Sequence, residues 1–160
     1  MSDRITIAPE RPDQPQVVQL LAALDRYLAS LYPPEANFIM DVQALLAPEV
    51  CFFVARDGEQ IVGTGAFRRM QGEVATDGAP YGEIKRMFVD PSRRGERIGA
   101  RVLQALEDTL RSEGFSLALL ETGAEQQEAV RLYERCGYLP RGVFGQYPDN
   151  GLSVYYSKAL

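Results

Sequence analysis

Apolar residues between Pro15 and Leu31 recur at Val17, Leu20, Leu21, Leu24, Leu28 and Leu31, one face of an amphipathic helix that Pro33-Pro34 ends. Before it, Arg4 to Ala8 alternates polar and apolar and reads as a strand stopped by Pro9. Asp41 to Leu46 is a shorter helical segment ended by Pro48. Val50 to Arg56 and Gln60 to Arg68 read as two strands, and Asp57-Gly58 between them is a strong hairpin signal. Met70 to Pro80 is polar and glycine-containing, a loop, and Gly82 to Val89 follows as a central strand. Ile98, Val102, Leu106 and Leu110 place an apolar stripe on a helix that Gly114 caps. Ser116 to Glu121 is a short apolar strand, Glu125 to Arg135 a helix ended at Gly137, and Leu152 to Tyr156 a final strand. The order is β-α-α-β-β-β-α-β-α-β-β, an α/β (α+β) arrangement with helices packed on a mixed sheet. A doubly wound fold would alternate β and α from the start, and the early hairpin counts against it.

The chain has 160 residues, 46% hydrophobic and 24% charged, enough for one domain with a core, expected over 1–160, and too short for two ordinary ones. A net charge of −5 argues against nucleic-acid or anionic-membrane partners, which demand a dominant basic face. Histidine is absent, which excludes Ser-His and Cys-His nucleophilic machinery and histidine metal sites. A general base must then be a carboxylate, a tyrosine, a thiol or water relayed to one of these. Cys51 and Cys136 show neither zinc spacing nor a disulfide framework and read as buried thiols. No apolar run reaches the ~18 residues of a membrane span. The Met1-Ser2-Asp3-Arg4 start lacks the apolar segment of a signal peptide, so a cytoplasmic protein is expected.

The most informative stretch runs from Glu83 to Arg101. It reads as a strand, a basic glycine-containing turn and the first turns of a helix, an order that builds an anion site. A helix start leaves backbone N–H groups without partners and carries partial positive charge, so a phosphate there is stabilised by both. Six of the nine charged residues in this stretch are basic, a local net of +3 that leaves −8 on the remainder. Arg93, Arg94 and Arg97 supply full charges. Gly95 and Gly99 lack a Cβ, which would let the backbone approach a bulky ligand.

Arg94-Gly95-Glu96-Arg97-Ile98-Gly99, following Val89-Asp90-Pro91, resembles the pyrophosphate loop of the GNAT superfamily of acetyl-CoA-dependent N-acetyltransferases, whose pattern is Gln/Arg-x-x-Gly-x-Gly/Ala. Arg97 stands where that pattern has its first glycine. Its guanidinium would add a phosphate contact, or its Cβ would hold the backbone further from the ligand. Leu120-Glu121-Thr122-Gly123 and the run from Ala129 through Leu132-Tyr133 to Gly137-Tyr138 are similar to the family's Leu-Glu-Thr strand end and its Ala-x-x-Leu-Tyr-x-x-x-Gly-Phe helix. The tail from Phe144 to Leu160 resembles small bacterial members that act on small molecules.

The resemblance implies the GNAT (acyl-CoA N-acyltransferase) fold, a mixed central sheet of about seven strands flanked by four helices. It implies direct acetyl transfer from acetyl-CoA to a small-molecule amine, without a metal or a covalent intermediate. Backbone groups of Met87, Phe88 and Val89 would hold the pantetheine arm as an added strand, one N–H near Met87 or Phe88 polarising the thioester carbonyl. Arg94, Gly95, Glu96, Arg97, Ile98, Gly99 and Ala100 would hold the pyrophosphate. Gln126 takes the place of an asparagine that touches the pantetheine arm in many relatives, or is a solvated helix glutamine. Relatives are often homodimers, while the sequence itself leaves the oligomeric state open.

Two residues carry the implied chemistry. Glu83, in Glu83-Ile84 ahead of Val89, matches the glutamate that takes the amine proton through water in the histone-acetylating branch; the competing reading is a salt bridge to Lys85 or to an arginine across the sheet. Glu121 is the runner-up base. Tyr133 matches the tyrosine that protonates the departing thiolate, against a plain packing role. Arg68, Arg69, Arg86, Tyr32 and Tyr147 are candidates for lining an acceptor pocket, and arginines there would favour a carboxylate-bearing acceptor such as an amino acid. A non-catalytic acyl-CoA-binding sensor is the alternative that Arg97 keeps open.

Overall fold

The computed structural model describes residues 4–160. Residues 1–3, part of the expected domain and of the leader reading, lie outside the described residues. The strands are β1 (Ile5–Pro9), β2 (Val50–Asp57), β3 (Gln60–Met70), β4 (Tyr81–Val89), β5 (Leu117–Gly123), β6 (Leu139–Arg141) and β7 (Ser153–Ala159). The helices are α1 (Pro15–Leu31), α2 (Val42–Leu45), α3 (Ile98–Ser112) and α4 (Gln127–Arg135). The strands form one mixed sheet ordered β1-β2-β3-β4-β5-β7-β6, in which β4 and β5 are parallel and every other neighbouring pair antiparallel.

Both faces of the sheet are covered. On one, Ile98, Val102, Leu103, Leu106 and Leu110 of α3 pack with Phe53, Ala55 and Phe67. On the other, Val17 and Leu21 of α1 pack with Phe52, Val54, Ile61 and Ala66. Successive strand residues point to opposite faces, so a sheet buried on both sides reads as a nearly continuous apolar run, as Val50 to Ala55 does.

Several boundaries move from the sequence reading. β3 continues to Met70, and the expected loop holds a 3-10 turn, Val74–Thr76, closed by a reciprocal Glu73–Thr76 cap. α2 shrinks to one turn, with the Asp41 side chain accepting from the Ala44 N–H. β6, whose position the apolar pattern did not mark, consists of three partly or fully exposed residues.

The feature that positions the site is in β4. Thr64 faces Phe88 and Ala66 faces Lys85, so Arg86 and Met87 together oppose Gly65, a β-bulge. Arg86 takes the left-handed conformation there (φ 57°), and the Thr64 hydroxyl donates to its carbonyl at 2.9 Å. Below the bulge β4 pairs with β5 at Gly82, Glu83 and Ile84 only. Above it the two strands separate, although β4 runs on to Val89 and β5 to Gly123.

Candidate active site

The separation of β4 from β5 leaves the β5-facing backbone of Met87, Phe88 and Val89 without a neighbouring strand. The three side chains are largely absorbed by packing: Phe88 is buried, and Met87 and Val89 lie partly buried against the core on the α3 side. What the gap offers a ligand is therefore backbone. Val89 leads through Asp90, whose carboxylate accepts from the Ser92 N–H, into the turn before α3.

The turn does not present its arginines equally. Arg93 is tied to Glu96 at 2.8 Å and to Asp57 at 2.9 Å, and Arg94 to Glu128 at 2.6 Å. Arg97 makes no ion pair or side-chain hydrogen bond among the described residues. Of the three full charges expected, two are thus partnered, the Arg94–Glu128 pair being an exposed one that competes weakly with a ligand. Arg97 is also the N-cap of α3 and sits at φ 62°, so the residue standing for glycine adopts the conformation glycine would favour. Gly95 has φ 86° with open space around it. Gly99 differs, because a Cβ there would lie 3.1 Å from Leu132 Cδ2: its missing side chain serves the approach of α3 to α4. Ile98 is core, and Gly99 and Ala100 contribute N–H groups of the first helical turn, which have no intrahelical acceptor.

A cleft of about 90 Å³ opens where the strands part, lined by Lys85, Arg86, Met87, Glu121, Gln126 and Tyr133, with α1 and residues 36–39 as its opposite wall. The Gln126 side-chain oxygen accepts from the Gly123 N–H at 2.9 Å, leaving its NH2 group without a partner among the described residues. Tyr133 is buried with its ring edge-on to Tyr138, and its hydroxyl makes no hydrogen bond among the described residues. Burial, then the charge of Glu121, raises the Tyr133 hydroxyl well above the ordinary tyrosine value, so it holds its proton at neutral pH. Glu121 accepts from Ser153 Oγ at 2.6 Å, and burial raises its carboxyl above the ordinary range.

Glu83 sits on β4 where it still pairs with β5. It is 1% exposed, does not line the cleft, and has both carboxylate oxygens engaged: Oε1 by Arg68 at 3.0 Å, and Oε2 by the Tyr147 hydroxyl with Lys85 Nζ 3.8 Å away. The competing salt-bridge reading is the one the geometry displays. The arginines proposed for an acceptor pocket are also occupied, Arg68 by Glu83, Arg69 by Glu113 and Arg86 by Asp25. Tyr32 does line the cleft, its hydroxyl accepting from the Glu125 N–H at 2.8 Å.

The sequence model of the acetyltransferase (GNAT) family matches residues 17–138. The chain belongs to the GNAT acetyltransferase family. A protein of Azospirillum brasilense named IAA acetyltransferase is 46% identical over 156 residues, 98% of each chain. An uncharacterised N-acetyltransferase of Bacillus subtilis, YsnE, is 29% identical over 147 residues, 91% of this chain and 93% of its own. Among solved structures, one from Klebsiella pneumoniae with the provisional description acyl-CoA N-acyltransferase superposes with a TM-score of 0.79 at 32% identity, over 98% of this chain and 97% of its own. The fold is also that of a GNAT acetyltransferase from Elizabethkingia anophelis with acetyl-CoA bound (TM-score 0.66, 18% identity, covering 99% and 100%).

The GNAT family uses acetyl-CoA, and the residues here fit such a ligand: among the described residues, a strand edge without a neighbour, an amide with an unused donor, and a helix start beside an arginine with no acidic partner. Sequence reasoning passed over Lys85 except as a partner for Glu83, and passed over Ser153. The signal for Lys85 was its i+2 position from Glu83, which places both on one face of a strand; Ser153 carried none, being brought to Glu121 only by β5–β7 pairing. Among the described residues no helix is long and apolar enough to cross a membrane.

Proposed function

We propose that the protein transfers an acetyl group from acetyl-CoA to the amine of a small molecule by direct attack, with Glu121 as base and Tyr133 as acid. The observation that supports this most is the opening of β4 from β5 directly ahead of the α3 start, with Glu121 and Tyr133 lining the opening. In this reading the pantetheine arm pairs with the backbone of Met87 to Val89 and with Gln126, and the pyrophosphate sits on residues 94–100. The amine gives its proton to Glu121, directly or through water, and attacks the thioester carbonyl, whose developing negative charge a β4 N–H stabilises. Collapse expels the thiolate, which takes the proton of Tyr133.

Glu121 is preferred to Glu83 because a base must reach the amine, and Glu83 is buried outside the cleft with Arg68 and Tyr147 on its oxygens. A carboxylate-bearing acceptor, such as an amino acid, remains part of the proposal, although the arginines first considered for it are paired with the protein's own acids.

The test is a thermal shift with acetyl-CoA, CoA and ATP, followed by thiol release with a panel of amines. At ~100 times its dissociation constant a ligand stabilises by about 2.7 kcal/mol. Stabilisation by both CoA species and not by ATP, with turnover that Glu121→Gln abolishes and Glu83→Gln does not, is the expected result. Binding without turnover of any amine would favour the sensor reading; no CoA binding would remove the transferase reading.

A further inference from the structure

We propose that Lys85 binds the acceptor's carboxylate, so that the acceptor is an amino acid or a similarly compact molecule carrying both an amine and a carboxylate. The inference rests on the acetyl-transfer reading and deepens it. It comes from how charge is distributed around the inner end of the cleft. Two cations, Arg68 and Lys85, share the single buried carboxylate of Glu83, and Arg68 holds the closer position at 3.0 Å against 3.8 Å. Arg86, the other cation on the cleft wall, is matched by Asp25 at 2.7 Å. Lys85 is the cation on the cleft wall with no carboxylate oxygen in hydrogen-bond contact among the described residues, Glu83 standing 3.8 Å away.

Its ammonium is also held in place. Nζ donates to the Tyr147 hydroxyl at 2.9 Å and to the Phe38 carbonyl at 3.3 Å, and its third N–H makes no hydrogen bond among the described residues. Tyr147 is fixed in turn by edge contacts with Phe38 and Phe144, at 5.2 and 5.3 Å between ring centres. A lysine with only 10% of its side chain exposed is costly to keep charged, and burial does lower its pKa while Glu83 and Glu121 act against that. An incoming carboxylate would take the remaining N–H as a charge-assisted bond.

The opposite wall supplies the complement. Glu121 stands on β5 across the opening from Lys85 on β4, and each alters the other's ionisation. A molecule with an amine and a carboxylate on one short skeleton meets both, its amine toward Glu121 and its carboxylate toward Lys85. Phe38 and Leu152 are left to contact its apolar part. Glu83 and Tyr147 are then positioning residues that aim the ammonium without touching the acceptor.

The experiment measures CoA release with L-alanine, L-leucine, L-methionine, L-phenylalanine, β-alanine and γ-aminobutyrate, each beside its carboxamide, using wild type, Lys85→Met and Lys85→Arg. The amine of an α-carboxamide is the less basic and more available at neutral pH, so a preference for the acids cannot come from amine chemistry. We expect at least one acid to exceed its carboxamide tenfold or more in kcat/KM. Lys85→Met should erase that preference by raising KM for the acid about tenfold to a hundredfold. Its carboxamide kcat/KM should fall far less than that for the acid, its stabilisation by acetyl-CoA should be kept, and Lys85→Arg should restore part of the preference. Carboxamides used as well as acids, equal losses for both in Lys85→Met, or no acid accepted by a protein that acetyl-CoA stabilises would each overturn the inference while leaving cofactor binding standing. Failure of acetyl-CoA to stabilise the wild type would instead strike the transferase reading and this inference with it. Should Lys85→Met not fold, the wild-type acid-to-carboxamide ratio decides alone.

Discussion

In the outer part of the site, the turn ahead of α3, Arg94 to Ala100 are consecutive in the chain, largely exposed, and offer a ligand mostly backbone N–H groups and one arginine without a partner among the described residues. In the inner part, Lys85, Glu121 and Ser153 line the cleft with Glu83 and Tyr147 behind Lys85; they come from β4, β5, the β6–β7 connection and the start of β7, and burial shifts the ionisation of Lys85, Glu121 and Tyr147. The outer end works by geometry that any chain of this local sequence would reproduce. The inner end works by electrostatics between residues remote in sequence that exist only once the sheet has closed, whereas in the loop the pair that shifts ionisation, Arg93 with Glu96, is three residues apart.

The sharpest way to test that division is Glu121→Gln. If the inner end carries the chemistry, kcat/KM should fall about 10²- to 10⁴-fold, with acetyl-CoA binding unchanged. Burial raises the Glu121 carboxyl, so the wild-type rate should climb with pH along a limb displaced above the ordinary carboxylate range, and the variant should lack that limb. The sign for stability is opposite. A carboxyl whose folded pKa is raised favours the protonated folded state, so its contribution is fully present below the unfolded pKa and is lost as pH rises through the folded value. The melting temperature of Glu121→Gln relative to wild type should therefore increase with pH across that window, in a series of melts from about pH 4 upward. Tyr133→Phe should cost about 10²-fold in kcat, with little change in KM. An unchanged rate would make its buried ring purely a packing element.

These inner residues also mark the limit of what the chain discloses by itself. The loop motif, the α3 stripe and the Tyr133 helix are local patterns and were legible. The bulge at Arg86 was not, because it depends on which residues of β3 face β4, and Gly65 between Thr64 and Ala66 carries no mark of being opposed by two residues. The occupancy of Glu83 was half legible: its i+2 partner Lys85 is visible in sequence, but Tyr147 reaches it from 64 positions away. The same holds for Arg68, Arg69 and Arg86, whose acidic partners are remote in sequence, so their charges looked available when they are not.

A smaller effect links the two ends. A Cβ at Gly123 would lie 2.0 Å from the Tyr32 hydroxyl and 2.3 Å from its Cζ, in a ring already held by the Glu125 N–H. Gly123→Ala should force Tyr32 out of the cleft wall and cost about 1–3 kcal/mol, read by denaturant unfolding. Because Tyr32 lines the same cleft as Lys85, acceptor KM should rise along with that loss. A stability change with no KM change would separate the wall from the acceptor.

The smallest expected effect lies in the loop itself. Arg97 at φ 62° carries the cost of a left-handed non-glycine residue, about 1–2 kcal/mol, while glycine would add back roughly 0.4–1 kcal/mol of unfolded-chain entropy. Arg97→Gly should thus stabilise the ligand-free protein by a net of about 0.5–1 kcal/mol. Arg97→Ala, which keeps the Cβ and discards the charge, should leave stability nearly unchanged. Both should weaken acetyl-CoA about tenfold at low salt, since the lost group is the loop arginine without an acidic partner, and the deficit should shrink as salt screens the wild-type contact. Tighter binding in Arg97→Gly would mean instead that the Cβ had been holding the backbone off the ligand. The outer end, too, would then be governed by a side chain rather than by its backbone geometry.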